Sequence, residues 1–222
     1  MKTKAIIFDF DGTLTKPHKF PNSWARLWHK IGCQEEDDIL YGKFNNKEIT
    51  YDEWLEECLK IFRRERVCKK DFQEISKDTS LVDFFDEYMH TLANNNVSVY
   101  VLSGGIGNVI ECKLENYKKQ IKEIICDKFK LDEHEIVCGY ESIPQSLAKK
   151  SKVVYSILEK DKLSKDEVVF IGNGANDEEV YLTGVKTICV NPDCNAHPEN
   201  KTFWKEYIKD CNDIRKTLNF ID

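Results

Sequence analysis

The chain has 222 residues, enough for one sizeable domain or for a domain carrying a smaller insert. Hydrophobic residues make up 41% and aromatics 11%, which allows a real core and excludes wholesale disorder. Lys and Arg total 33 against 39 Asp and Glu, a net charge of −6 that gives no general pull toward nucleic acid or anionic membrane. No run of about eighteen apolar residues occurs, so no transmembrane helix is expected. The start Met1-Lys2-Thr3-Lys4 is basic, but the apolar stretch Ala5 to Phe8 stops at Asp9, too short for a signal-peptide core. A soluble, cytoplasmic protein, monomer or homodimer, is the expectation. The nine cysteines include no Cys-x-x-Cys pair, and Cys58 and Cys189 fall in apolar-periodic segments, so reduced thiols are expected rather than a disulfide framework or a zinc site.

The elements follow in order. Ala5-Ile6-Ile7-Phe8 reads as a buried strand ended by Asp-Gly turn chemistry. Trp24, Leu27, Trp28 and Ile31 have helical spacing, closed by Gly32. Thr50 with Glu53 fits a capping box ahead of the stripe Trp54, Leu55, Cys58, Ile61 and Phe62. A further helix is predicted from about Ser80, stopped by Asn94-Asn95-Asn96. Then strand and helix alternate: a strand over 97–102, a helix over about 108–124, a short strand at 136–138, and a helix over about 150–159. A strand over 168–171, a helix over 177–182 and a strand over 187–190 follow. After Pro198, the spacing of Phe203, Trp204, Tyr207 and Ile208 predicts an amphipathic helix. Such alternation means a parallel, doubly wound α/β sheet, which binds ligands beyond the carboxyl ends of its strands. The helical block over 16–79 interrupts the pattern after strand one. The expected division is therefore an α/β core of residues 1–15 and 80–222, with a small helical cap of residues 16–79 inserted.

Three polar clusters stand at predicted strand ends. In Asp9-Phe10-Asp11-Gly12-Thr13, alternation along an extended chain sends Asp9 and Asp11 to the same side. Two adjacent carboxylates repel unless a cation lies between them or one holds a proton. The pair suits magnesium, and also a split into nucleophile and acid/base; the plainer alternative is a polar Asp-Gly turn. Ser103-Gly104-Gly105 sets a hydroxyl and bare amides before a helix, which is anion-binding chemistry or an ordinary glycine loop. Gly172-Asn173-Gly174-Ala175-Asn176-Asp177 follows the third strand. All three clusters would converge on one rim of the sheet.

These motifs, in this order and with a lysine before a helix, resemble the haloacid dehalogenase superfamily, most closely its phosphoserine-phosphatase-like branch. The resemblance spans the whole core. It implies a Rossmann-like fold and a magnesium-dependent phosphatase acting on a small phosphorylated metabolite. In that pattern Asp9 attacks phosphorus and Asp11 serves as acid, then base. Ser103 and Gly104 hold the phosphate with a lysine, and Asp9, Asp11, Asn173 and Asp177 form the metal site. Among Lys149, Lys150 and Lys152, the register of Val153 and Val154 facing the core selects Lys150 for the helix mouth. Asp11 separates this chain from dehalogenases, which lack an acid there, and from ion-pumping ATPases, which carry a lysine; phosphomutases share it.

Two departures from the branch matter. Asn173 replaces an aspartate. Two unit charges about 4 Å apart interact by roughly 4 kcal/mol at an effective dielectric near 20, so magnesium affinity is expected to fall. His18-Lys19 stands where phosphoserine phosphatases place a glutamate for the substrate amine, which disfavours phosphoserine and points to a more anionic substrate, unless both are ordinary loop residues. The competing expectation is a catalytically weakened phosphate-binding or interaction protein, motivated by Asn173 alone. Asp132 to Glu135 reads as a polar surface turn rather than a metal site.

Overall fold

Ala5–Phe8 (β1) is completely buried, as an apolar run at the centre of a parallel sheet should be. In the computed structural model, which describes residues 3–142 and 149–221, β1 leads into four helices: Ser23–Lys30 (α1), Gln34–Asn45 (α2), Tyr51–Arg64 (α3) and Lys69–Asp78 (α4). The Met1-Lys2 start lies outside the described residues. Then come Phe85–Asn94 (α5), Ser98–Leu102 (β2), Gly107–Lys113 (α6), Ile121–Ile125 (β3), Lys128–Leu131 (β4) and Val137–Glu141 (β5). Lys150–Asp161 (α7), Val168–Gly172 (β6), Ala175–Glu178 (α8), Lys186–Val190 (β7) and Glu206–Ile208 (β8) complete the order.

Six strands form one parallel sheet in the order β3-β2-β1-β6-β7-β8, and β4 and β5 form a separate antiparallel pair. The strand order reverses direction between β1 and β6, the switch point where doubly wound sheets bind ligands. Phe8 pairs with both Val101 and Ile171, so the residues that follow β1, β2 and β6 emerge at one level. Alternate side chains supply two cores. Ile6, Phe8, Val99 and Val101 pack with α5 on one face, while Ala5, Ile7, Tyr100 and Phe170 pack with α7 on the other. No helix among the described residues is long and apolar enough to cross a membrane.

A third cluster sits in the helical block. Leu27, Trp28, Trp54, Cys58, Phe62 and Phe72 form it, joined by Ile106 and Val109 of the α6 region and by Phe129 and Val137 of the β4–β5 hairpin. Thr50 caps α3 through the Glu53 amide, and Glu53 returns a hydrogen bond from the Thr50 amide. Phe62 is fully buried and its ring meets those of Trp24, Trp28 and Phe129. Phe62→Ala is expected to lose about 3–5 kcal/mol of stability, read from a urea melt, because the surrounding rings cannot collapse into the void.

Several element expectations are corrected. The helix expected over 108–124 ends at Lys113. A 3-10 turn at Glu115–Tyr117 follows, and Ile121–Ile125 becomes β3, captured by the free edge of β2. The stretch after Pro198 is no amphipathic helix. Glu206–Ile208 pairs with β7 as β8, and Ile214–Phe220 is a 3-10 segment. An open strand edge leaves backbone donors and acceptors to be satisfied, and three residues of pairing outweigh a helical spacing of apolar side chains. The helix expected from Ser80 begins at Phe85, and the helix expected over 177–182 is one α-turn continued as a 3-10 turn to Thr183. Asp132 to Glu135 forms an exposed turn, with the Asp132 carboxylate accepting from the His134 and Ile136 amides.

Candidate active site

Asp9 is the first residue beyond β1, with its amide bonded to the Ile171 carbonyl of β6. Lys150 opens α7, whose Val153, Val154 and Ile157 stripe packs on the sheet and so carries the lysine inward. Lys149 and Lys152 are exposed, whereas the Lys150 side chain is fully buried. Its Nζ lies 2.7 Å from Asp9 Oδ1 and 2.5 Å from Asp177 Oδ1. The second Asp177 oxygen accepts from the Asn173 and Gly174 amides at 2.9 and 3.0 Å. Asp177 is thus committed on both oxygens, to the lysine and to the loop that follows β6.

Asn173 approaches Asp9 through Thr13. The Thr13 hydroxyl lies 3.3 Å from Asn173 Oδ1 and 3.4 Å from Asp9 Oδ2, so oxygens from the two strand ends face a single point. Gly12 makes this approach feasible. Its φ is +80°, and a Cβ there would fall 2.3 Å from Asn173 Nδ2. Ser103 is buried at the end of β2, with its hydroxyl accepting from the Gly105 amide at 3.1 Å.

Asp11 is held from the helical block. Its Oδ2 accepts from the Ser23 amide at 3.2 Å and the Ser23 hydroxyl at 2.9 Å, and the same Ser23 oxygen accepts from the Ile106 amide. Trp24 donates from Nε1 to the Gly104 carbonyl at 2.9 Å. Gly105 passes so close that a Cβ there would lie 2.5 Å from Asp11 Oδ2. The sequence reading missed Ser23, Trp24 and the bridging part of Thr13. Thr13 stood within the motif without a role, whereas Ser23 and Trp24 carried only a helix-start and a core signal.

The charges explain the titration of the cluster. Burial raises the Asp9 carboxyl to about 7, with Lys150 opposing the shift and Asp177 and Asp11 adding to it. Burial raises Asp11 as well, against the hydrogen bonds from Ser23. Burial alone would lower Lys150, but Asp177 and Asp9 reverse the effect and keep it charged. Asp9 and Asp177 therefore share one ammonium in direct contact, with Asp11 adding a third carboxylate close by. The surplus negative charge, and the convergence of Asp9 and Asn173 oxygens at Thr13, fit a hard divalent cation such as Mg²⁺. Among the described residues, no group of three or more His, Cys, Asp or Glu is placed to hold a metal ion by itself.

Comparison with known proteins agrees with this geometry. A curated phosphatase of Bacillus pumilus (strain SAFR-032), named for 2-hydroxy-3-keto-5-methylthiopentenyl-1-phosphate, is 25% identical over 91% of this chain and 89% of its own. A phosphoserine phosphatase solved as a phospho-aspartyl intermediate analogue superposes with a TM-score of 0.74 at 18% identity, covering all of both chains. The phosphoserine phosphatase of T. onnurineus, in complex with NDSB-201, superposes at 0.64 with 20% identity over 100% of this chain and 94% of its own. These two likenesses show the fold. The family model described as haloacid dehalogenase-like hydrolase matches residues 6–180, which span β1, the helical block and the loop after β6. The chain belongs to the haloacid dehalogenase-like hydrolase family.

Proposed function

We propose that the chain is a phosphoric monoester hydrolase that splits a small phosphorylated metabolite through an aspartyl-phosphate on Asp9. The observation that carries this reading is the junction of β1, β6 and α7, where buried Lys150 meets Asp9 from 141 residues away in sequence. A lysine fixed against a carboxylate at a strand end is placed to neutralise a phosphoryl group that the carboxylate attacks.

In the first step an Asp9 oxygen bonds to phosphorus as the bond to the leaving oxygen breaks, and Asp11 gives that oxygen its proton. In the second, Asp11 takes a proton from water. The water oxygen bonds to phosphorus and the bond to Asp9 breaks, leaving inorganic phosphate. The raised pKa of Asp11 suits a group that must begin protonated. Ser103 and the Gly104 amide hold phosphate oxygens. Asp9 and Asn173, whose oxygens converge at Thr13, would hold Mg²⁺, which supplies neutralisation of phosphoryl charge when bound. Asp177, with both oxygens engaged, acts through Lys150 and the Asn173 loop. The helices of residues 16–79 act as the cap over the strand ends, a role supported by the Ser23 and Trp24 contacts to Asp11 and Gly104. The name of the B. pumilus relative supports a small phosphate ester as substrate.

Phosphate release from 4-nitrophenyl phosphate tests the reading. Turnover that depends on Mg²⁺ and stops with a chelator is expected, and no turnover of this ester or of a metabolite-phosphate panel at any Mg²⁺ concentration would overturn it. A titration probes Asn173 separately. Because a carbonyl oxygen replaces a carboxylate, half-saturation is expected above the low micromolar range, and Asn173→Asp should lower it by about tenfold or more.

A further inference from the structure

Three successive carboxylates follow the glycines after β6, and each meets a different partner. Asp177 holds Lys150 and the Asn173 amide, and Glu179 accepts from the Ser151 amide at 3.1 Å. Glu178 serves neither. It is only 8% exposed, and among the described residues the hydrogen-bond donors that meet its carboxylate all belong to His197, 19 residues further along the chain. The His197 amide donates to Glu178 Oε1, and the imidazole Nδ1 lies 3.2 and 3.1 Å from Oε1 and Oε2. The imidazole also meets the Phe203 ring edge-on. A carboxylate this buried is costly without donors, so the contact is firmly held.

His197 ends the loop that follows β7, and the same loop reaches back to Asn173. The Asp193 amide donates to the Asn173 carbonyl at 2.9 Å. The Asp193 carboxylate accepts from the Asn195 and Ala196 amides at 2.8 Å each, which stiffens the chain between that contact and His197. The docking is close, since a Cβ on Gly174 would fall 2.7 Å from Asp193 Oδ2. The contacts therefore close a ring. It runs from Asn173 to Asp193, along the loop to His197, across to Glu178, and through neighbouring Asp177 back to the Asn173 amide. The backbone of Asn173 is held on both sides, and its Oδ1 stands 3.3 Å from the Thr13 hydroxyl.

A neutral carbonyl oxygen gains less from a divalent cation than a carboxylate does, so the cost of ordering the donor takes a larger share of the binding energy. We propose that Glu178 and His197 are positioning residues for Asn173: by pinning the loop after β7 they hold the Asn173 turn in the arrangement that presents Oδ1 to the cation. Neither residue touches the reacting atoms. The proposal rests on the reading of Asn173 as a Mg²⁺ donor given above.

Mg²⁺ alone, titrated calorimetrically into the metal-free protein, tests it, with Mg²⁺ half-saturation read separately from turnover of 4-nitrophenyl phosphate. Glu178→Ala is expected to weaken Mg²⁺ binding by about tenfold or more, the scale on which partners of metal ligands act. Its kcat at saturating Mg²⁺ should stay within about twofold of wild type, because the lost interaction is not one made only in the transition state. The His197 side chain is 68% exposed, so His197→Ala does not endanger the fold. That variant should weaken Mg²⁺ binding by roughly two- to tenfold, the worth of one hydrogen bond, and His197→Asn, which returns a donor near Nδ1, should restore most of it. The metal-free Tm of His197→Ala should match wild type, while the rise in Tm produced by Mg²⁺ should shrink.

Mg²⁺ affinity equal to wild type in His197→Ala and in folded Glu178→Ala overturns the positioning role and leaves the phosphatase standing. If Glu178→Ala does not fold, His197→Ala decides alone. A metal-free Tm well below wild type in His197→Ala, with the Mg²⁺-induced rise intact, marks a purely structural contact and also overturns the role. A wild-type protein that neither binds Mg²⁺ nor needs it for turnover removes the Asn173 reading and the positioning role together.

Discussion

Lys150→Met is expected to lower stability by about 3–5 kcal/mol and to reduce kcat by at least about 100-fold. The stability loss follows from what stays behind. Asp9 and Asp177 both touch the fully buried Nζ, and a methionine of similar length leaves two carboxylates facing each other without a cation. The loss in turnover follows from removing a fixed positive donor at the attacked phosphoryl group. The stability effect carries a pH signature. Burial already lifts Asp9, and Lys150 is the main influence holding it down. Without the lysine its folded pKa rises further above the unfolded value, so the folded state takes up the proton more readily. The penalty is then present above the folded pKa and is relieved as pH falls through it. Urea melts at several pH values should show the gap to wild type narrowing toward acid. A gap independent of pH would mean that packing, not charge, explains the loss. Adding Asp177→Asn to Lys150→Met should restore part of the stability and none of the activity.

Asp9→Asn has the larger effect on turnover, an expected drop of at least about 10⁴-fold in kcat. The amide matches the carboxylate in shape but offers no nucleophilic oxygen, and no phosphoryl group can be trapped on it. Its effect on stability is expected to be small. Burial already works against the charge on Asp9, and Lys150 keeps Asp177 as a partner after the change. The two variants therefore separate chemistry from structure at a single contact. Rapid quenching with labelled substrate should find acid-stable phosphate on the wild-type chain and none on Asp9→Asn. Turnover within tenfold of wild type in a folded Asp9→Asn protein would remove Asp9 from the chemistry.

The parts of the sheet legible in sequence share one property. β1, β2, β6 and β7 are buried on both faces, so each carries an apolar run of three to four residues, ended by Asp9, Ser103, Gly172 or Asn191. The Lys150 contact was likewise accessible from helix register, because Val153 and Val154 fix which side of α7 faces the sheet. β3 and β8 escaped because edge strands bury less: Glu206–Ile208 is only half-buried along its length, and its pattern equally satisfies a helix. Ser23 and Arg26 were illegible for another reason. Local sequence presents them as ordinary polar positions of an amphipathic helix. Only the docking of α1 against the loop after β2 sets Ser23 on Asp11, and only its packing beside Thr79 buries Arg26.

The cluster that includes Phe129 and Val137 has a consequence for recombination between relatives. Residues 16–79 look like a cassette that could be exchanged to change specificity. Yet Phe129 packs its ring on Trp24, Phe62 and Phe72, so the hairpin 128–141 belongs to the same hydrophobic unit from a distant stretch of chain. A chimaera that swaps 16–79 alone inherits a mismatched seam of aromatic rings. One that carries the hairpin along transfers the seam whole, so crossover points for domain shuffling here come in two pairs rather than one.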